Sequence, residues 1–65
     1  MSKTTEIRNA VKEIAMQVGL NNILNMHVTA IAEKYNCSCS TVQNAMNYFL
    51  YSPQQKAFRE KYITY

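Results

Sequence analysis

The stretch of sequence that decides the fold is residues 28–47, Val-Thr-Ala-Ile-Ala-Glu-Lys-Tyr-Asn-Cys-Ser-Cys-Ser-Thr-Val-Gln-Asn-Ala-Met-Asn. Its pattern predicts two helices, over residues 29–35 and 39–51, separated by a three-residue turn. Thr29 and Ser38 are the predicted N-caps, because a side-chain hydroxyl can accept a hydrogen bond from the first turn of a helix. The second helix carries amides and hydroxyls on one side and no charged residue. This arrangement is typical of a helix that enters the DNA major groove.

Four positions in this stretch meet the requirements of a helix-turn-helix motif. Two helices that cross closely need a small residue at the crossing, and Ala32 supplies it. Asn36 tolerates the positive φ that the turn requires. Cys37 is a small apolar side chain suited to the gap between the helices, and Val42 can anchor the second helix to the core.

Residues 30–47 resemble the helix-turn-helix of lac-repressor-type and related bacterial and phage regulators. The residues shared with that motif are Ile31, Ala32, Glu33, Ser38, Thr41, Val42 and Asn47. The departures are Asn36, where these regulators usually have Gly, Cys37, where they usually have Val, and Asn44, where they often have Arg.

The resemblance implies which side chains of the second motif helix reach DNA. It implies base contacts by Cys39, Ser40 and Asn44, and phosphate contacts by Ser38, Thr41 and Asn47. Helical periodicity places Gln43 on the same face, with Ser40, Asn44 and Asn47, and adds it to the candidates for base contact. Because amides pair with adenine, and this helix has no Arg or Lys for guanine, the expected target is rich in A·T steps.

Phosphate contacts must then come largely from other segments. The candidates are Lys3, Arg8, Thr29 at the amide end of the first motif helix, Lys34, Lys56, Arg59 and Lys61. One copy offers few such contacts, so we expect weak, strongly salt-dependent binding by a monomer and a homodimer on a palindromic site. The aromatic residues predict a dimer surface in the C-terminal segment, although core packing accounts for some of them equally well: Tyr48, Phe49, Tyr51, Phe58, Tyr62 and Tyr65.

Two further helices are predicted on either side of the motif. Apolar residues at helical spacing predict a helix over 5–18, capped by Thr4 or Thr5 and ended by Gly19. Residues 20–27 are predicted to form a connector, with or without one helical turn, that tucks four apolar side chains under the domain: Leu20, Ile23, Leu24 and Met26. The sequence Ser-Pro-Gln-Gln at 52–55 predicts a capping box and a helix over 53–62, with Phe58 and Tyr62 on one side. The expected fold is all-α: one domain over residues 1–65, with about four helices and the motif at 29–50.

Composition narrows the function classes further. Seven Lys and Arg against four Glu give a net charge of +3, a weak indication of a nucleic-acid partner. Cys37 and Cys39 are too close for an unstrained disulfide, and with no apolar run for a leader or membrane span we expect free thiols in the cytoplasm. His27 is expected to cap a helix or lie half-buried in a loop rather than bind metal. No constellation for catalysis, a metal or a cofactor is present, so an enzyme is not expected.

The expected function is therefore sequence-specific binding of double-stranded DNA, in transcriptional control as a repressor or other regulator of a bacterium, phage or plasmid. Three alternatives remain open. The chain could be a DNA-binding accessory in excision, partition or packaging. It could use its motif to bind a protein such as RNA polymerase or another regulator, or bury residues 39–51 in a homodimer core. Cys39 at a helix start also leaves oxidation-sensitive DNA binding open.

Overall fold

The computed structural model describes residues 2–62, and every regular element within them is helical. The four α-helices are α1 (Lys3–Val18), α2 (Asn25–Lys34), α3 (Cys39–Tyr51) and α4 (Lys56–Tyr62). Short 3-10 turns occupy Leu20–Asn22 and Pro53–Gln55. The expected all-α fold with about four helices is confirmed.

Helix α1 begins two residues before its predicted start. The Ser2 hydroxyl oxygen accepts a hydrogen bond from the Thr5 N–H at 3.3 Å, so Ser2 is the N-cap and the prediction of Thr4 or Thr5 is wrong. Gly19 ends the helix as predicted. It has φ 95°, a value that favours glycine, and its N–H donates to the Ala15 carbonyl at 2.8 Å.

The largest correction concerns the start of α2. This helix begins at Asn25, four residues before the predicted cap Thr29, which lies inside the helix with its side chain exposed. The Leu24 N–H donates to Nδ1 of His27 at 3.0 Å, so the His27 ring nitrogen satisfies the backbone donor of the residue that precedes α2. Of the two roles expected for His27, the structure shows the capping role.

The earlier start of α2 also moves two apolar side chains out of the core. Leu24 and Met26 are 55% and 66% exposed, so the prediction that they tuck under the domain is wrong. Leu20 is buried and Ile23 is half-buried against the core, as predicted.

The connection between α2 and α3 spans Tyr35–Ser38, one residue more than predicted, because α2 ends at Lys34. Asn36 has φ 53°, as expected for the residue that reverses the chain. The Cys37 N–H donates to the Ala32 carbonyl at 2.9 Å, which closes the turn onto α2. Ser38 caps α3 by accepting from the Thr41 N–H at 3.3 Å, and α3 has its predicted bounds.

The core lies between the first three helices, with α3 packed against α1, α2 and α4. Ten apolar side chains are buried in it: Ile7, Val11, Ala15, Leu20, Val28, Ile31, Ala32, Val42, Ala45 and Phe49. Burial of this apolar surface is the main stabilising contribution in so small a chain.

Helix α4 starts at Lys56 rather than at Pro53. Ser52 makes no side-chain capping bond, and Gln55 donates through Nε2 to the Tyr48 hydroxyl at 3.2 Å, so the predicted capping box does not form. The predicted neighbours Phe58 and Tyr62 are in ring contact, with centroids 4.8 Å apart. Tyr65, the last predicted aromatic of the dimer surface, lies outside the described residues.

Candidate nucleic-acid interface

The outer face of α3 is uncharged, polar and exposed. Its four predicted residues, Ser40, Gln43, Asn44 and Asn47, all point away from the core. Within residues 2–62 no hydrogen bond ties any of these four side chains to the rest of the chain. Cys39, the remaining candidate for base contact, is exposed with a free thiol. The structure thus brings the five candidates together on one helix, with their polar groups available to a ligand.

The opposite face of α3 fixes the helix to the domain. Val42 has no exposed surface, and Ala45 and Phe49 are 5% and 4% exposed. On α2, the small side chain of Ala32 is buried, at 7% exposure, as predicted. A close-packed inner face keeps the outer face in a fixed position relative to α1 and α2.

The two hydroxyls at the start of α3 are engaged with each other. The Ser38 and Thr41 side-chain oxygens lie 3.1 Å apart, in addition to the bond between Ser38 and the Thr41 N–H. Both residues remain exposed. They stand at the positive end of the α3 dipole, where backbone N–H groups favour an anion such as a phosphate.

Two lysines lie close to the motif. Lys3 donates through Nζ to the Asn36 carbonyl at 3.1 Å, which holds the start of α1 beside the turn. Lys34 is exposed at the end of α2, with Nζ 5.5 Å from the ring centroid of Tyr35. Thr29 does not stand at the amide end of α2, so that reason for its phosphate contact is removed.

The cations of α4 divide into two kinds. Lys56 and Lys61 are exposed. Arg59 is half-buried and donates through Nη1 to the carbonyls of Phe49, at 3.0 Å, and Ser52, at 3.2 Å. Arg59 therefore joins α4 to the end of α3, where helix geometry leaves carbonyls without partners. The sequence analysis did not predict this role, because Arg59 lies in α4 and its carbonyl partners lie at the end of α3.

A cleft of about 200 Å³ opens between α1 and α3. It is lined by Thr4, Ile7, Arg8, Thr41, Asn44 and Ala45. The guanidinium carbon of Arg8 lies 3.9 Å from the ring centroid of Tyr48, so the cation stacks on the aromatic face. The cleft adjoins the polar face of α3, since Asn44 belongs to both.

Other kinds of site find no support among residues 2–62. No group of three or more His, Cys, Asp or Glu side chains is placed to hold a metal ion. No helix in this part of the chain combines the length and hydropathy needed to cross a bilayer. Comparison of the sequence and fold with protein-family models, curated proteins and solved structures finds no match.

Proposed function

We propose that this chain binds double-stranded DNA sequence-specifically, by laying the outer face of α3 in the major groove, and that it regulates transcription. The observation that carries the proposal is the uncharged face of α3, whose three amides and Ser40 hydroxyl are exposed and unpaired within residues 2–62. Exposure of a polar helix face carries no free-energy penalty in water, so exposure alone does not indicate a binding site. The rigid attachment of this face through Val42, Ala45 and Phe49 makes it suitable for reading base edges.

The proposed roles follow from side-chain chemistry. The amides of Gln43 and Asn44 each present a donor and an acceptor, the pair that adenine requires in the major groove. Cys39 and Ser40 lie one turn nearer the start of α3 and make shorter contacts to bases. Ser38, Thr41 and Asn47 contact phosphates, supported by Lys3 and Lys34 near the turn and by the exposed Lys56 and Lys61.

We further propose that the protein acts in the cytoplasm as a homodimer. One copy of α3 reads few base pairs, and its surroundings supply few cations. Two copies on half-sites about one helical turn of DNA apart double both the number of base pairs that are read and the number of cations near the backbone. Tyr51, at 76% exposure, is the large apolar side chain of α3 that the monomer leaves uncovered.

Selection of bound fragments from a random DNA pool tests the proposal directly. The expected product is an A·T-rich consensus, bound with an affinity that falls steeply as salt rises. Asn44→Ala is expected to weaken binding to the selected site by about tenfold, because a bidentate base contact is lost. Gln17→Ala is the matched control, since Gln17 is an exposed amide on α1 away from this face.

The outcomes separate the alternatives. A G·C-dominated consensus would contradict the adenine assignment while leaving DNA binding intact. Absence of any enriched sequence would contradict DNA binding and favour a protein-binding motif. A promoter carrying the selected site, placed before a reporter gene, should respond to the protein in cells; an unresponsive promoter would favour an accessory role in excision, partition or packaging.

A further inference from the structure

Arg8 is a cation that no anion neutralises within residues 2–62. Its guanidinium stacks on Tyr48 at 3.9 Å, and its Nε is buried without a hydrogen-bond partner there. No carboxylate in this part of the chain forms an ion pair with it. Buried donors without partners are rare in folded proteins, so each one calls for a physical explanation.

The cleft beside Arg8 offers donors and no acid. The hydroxyls of Thr4 and Thr41 and the amide of Asn44 line it, while Ile7 and Ala45 form its apolar wall. Its volume of about 200 Å³ is several times the roughly 30 Å³ that one water occupies in the liquid, so an oxyanion fits inside. A planar cation with neighbouring hydroxyl and amide donors is the chemistry that recognises phosphate.

We propose that the cleft between α1 and α3 binds a phosphate group, with Arg8 as the principal donor and the hydroxyls of Thr4 and Thr41 as its neighbours, while the Asn44 amide contacts the base. The assignment of a DNA backbone phosphate as the ligand rests on the proposed function, because Thr41 and Asn44 belong to α3, whose outer face would occupy the groove. A free phosphate has the same chemistry, and the experiments below distinguish the two sources.

Tyr48 is the positioning residue of this site. Its ring stacks under the Arg8 guanidinium, and its hydroxyl accepts a hydrogen bond from Nε2 of Gln55 at 3.2 Å. Phe49 lies edge-on to the same ring, with centroids 5.3 Å apart. Held in this way, the ring fixes the plane of the guanidinium and leaves its terminal nitrogens free to donate.

The first test compares Arg8→Ala with Lys12→Ala. Both changes remove one positive charge from α1, but Lys12 does not line the cleft. Arg8→Ala is expected to lower DNA affinity about tenfold and to reduce the slope of log affinity against log salt by about one. Lys12→Ala is expected to leave the slope unchanged. Equal slopes for the two variants would overturn the assignment of a DNA phosphate.

Arg8→Lys is the second variant to measure if Arg8→Ala does not fold. A lysine retains the charge but not the planar fork that stacks on Tyr48. We expect this variant to keep most of the salt slope and to lose several-fold in affinity. An affinity equal to that of the unmodified protein would contradict a stacked, oriented donor.

The second test titrates the protein with inorganic phosphate, against chloride at matched ionic strength, and follows the Arg8 Nε–H by NMR. A saturable shift in the unmodified protein, lost in Arg8→Lys, supports the cleft even if the protein proves not to bind DNA. A shift combined with an unchanged DNA salt slope in Arg8→Ala supports the cleft and assigns it to a free phosphate. No shift and no change of slope together overturn the proposal.

Discussion

At the scale of single residues, the turn between α2 and α3 depends on Asn36. It is the one non-glycine residue with positive φ among residues 2–62. A side chain with an ordinary Cβ is disfavoured there, while Asn tolerates the left-handed region better than most residues. Because this turn sets the orientation of α3 relative to α2, the conformation of one residue affects the whole candidate interface.

Asn36→Ala is therefore expected to lower the free energy of unfolding by about 1 kcal/mol, and Asn36→Gly to change it by less than about 0.5 kcal/mol. Urea unfolding followed by circular dichroism measures both. Asn47→Ala is the matched control, since it makes the same side-chain change inside α3 and should not destabilise the helix. Equal losses for Asn36→Ala and Asn47→Ala would show that backbone conformation is not the cause.

Ser38 supports a second prediction at this scale. Its hydroxyl accepts from the Thr41 N–H, so Ser38→Ala removes the N-cap of α3 and should cost about 1 kcal/mol. Ser40, two residues later, is exposed and makes no side-chain hydrogen bond among the described residues. Ser40→Ala should leave thermal stability nearly unchanged and instead weaken DNA binding. A comparable loss of melting temperature in both variants would contradict the cap.

Residue roles that follow from local chemistry were predictable from the sequence. Asn36 and Ser38 act within three residues of their own positions, and the structure confirms both. The stacking of Arg8 on Tyr48 was not predictable, because it joins residues 40 positions apart and depends on how α1 packs on α3. Arg59 was missed for a related reason, since its carbonyl partners become available only when α4 folds back on α3.

At the scale of elements, helix bounds were predictable where two local signals flank a segment. Ser38 and the Ser52–Pro53 pair enclose α3, and its predicted bounds are confirmed. The start of α2 had no such signal, because His27 caps it only once the extra turn has formed. Apolar character alone predicted that Leu24 and Met26 lie in the core, whereas both are exposed in the structure.

The packing of α2 into the core supports a prediction about element geometry. Ala32 is 7% exposed, so Ala32→Leu overpacks the core of the motif and should cost about 1–3 kcal/mol. Ala30 lies on the same helix but is exposed, and Ala30→Leu should change stability by less than about 0.5 kcal/mol. Thermal unfolding of the two variants gives the comparison. Equal stability would mean that the helices adjust their separation without cost.

At the scale of the whole molecule, the aromatic residues decide how α4 is held. The rings of Phe49 and Phe58 have centroids 5.3 Å apart, and Phe58 is in turn 4.8 Å from Tyr62. These contacts, together with Arg59, attach α4 to α3. Four of the aromatics predicted for a dimer surface thus pack within one monomer, while Tyr51 remains 76% exposed.

This division predicts opposite effects for two aromatic substitutions. Phe58→Ala removes the ring through which α4 contacts Phe49 in the core, and should cost about 2–3 kcal/mol, less than for a fully buried ring because Phe58 is only half-buried. A 65-residue domain has little stability in reserve, so this loss should be visible as partial unfolding at growth temperature.

Tyr51→Ala should leave monomer stability nearly unchanged. Analytical ultracentrifugation, with and without the selected DNA site, then tests the proposed dimer: Tyr51→Ala should shift the protein toward monomer if Tyr51 lies in the contact. A dimer that survives this change would place the subunit interface elsewhere, with the exposed Leu24 and Met26 as the next surface to substitute.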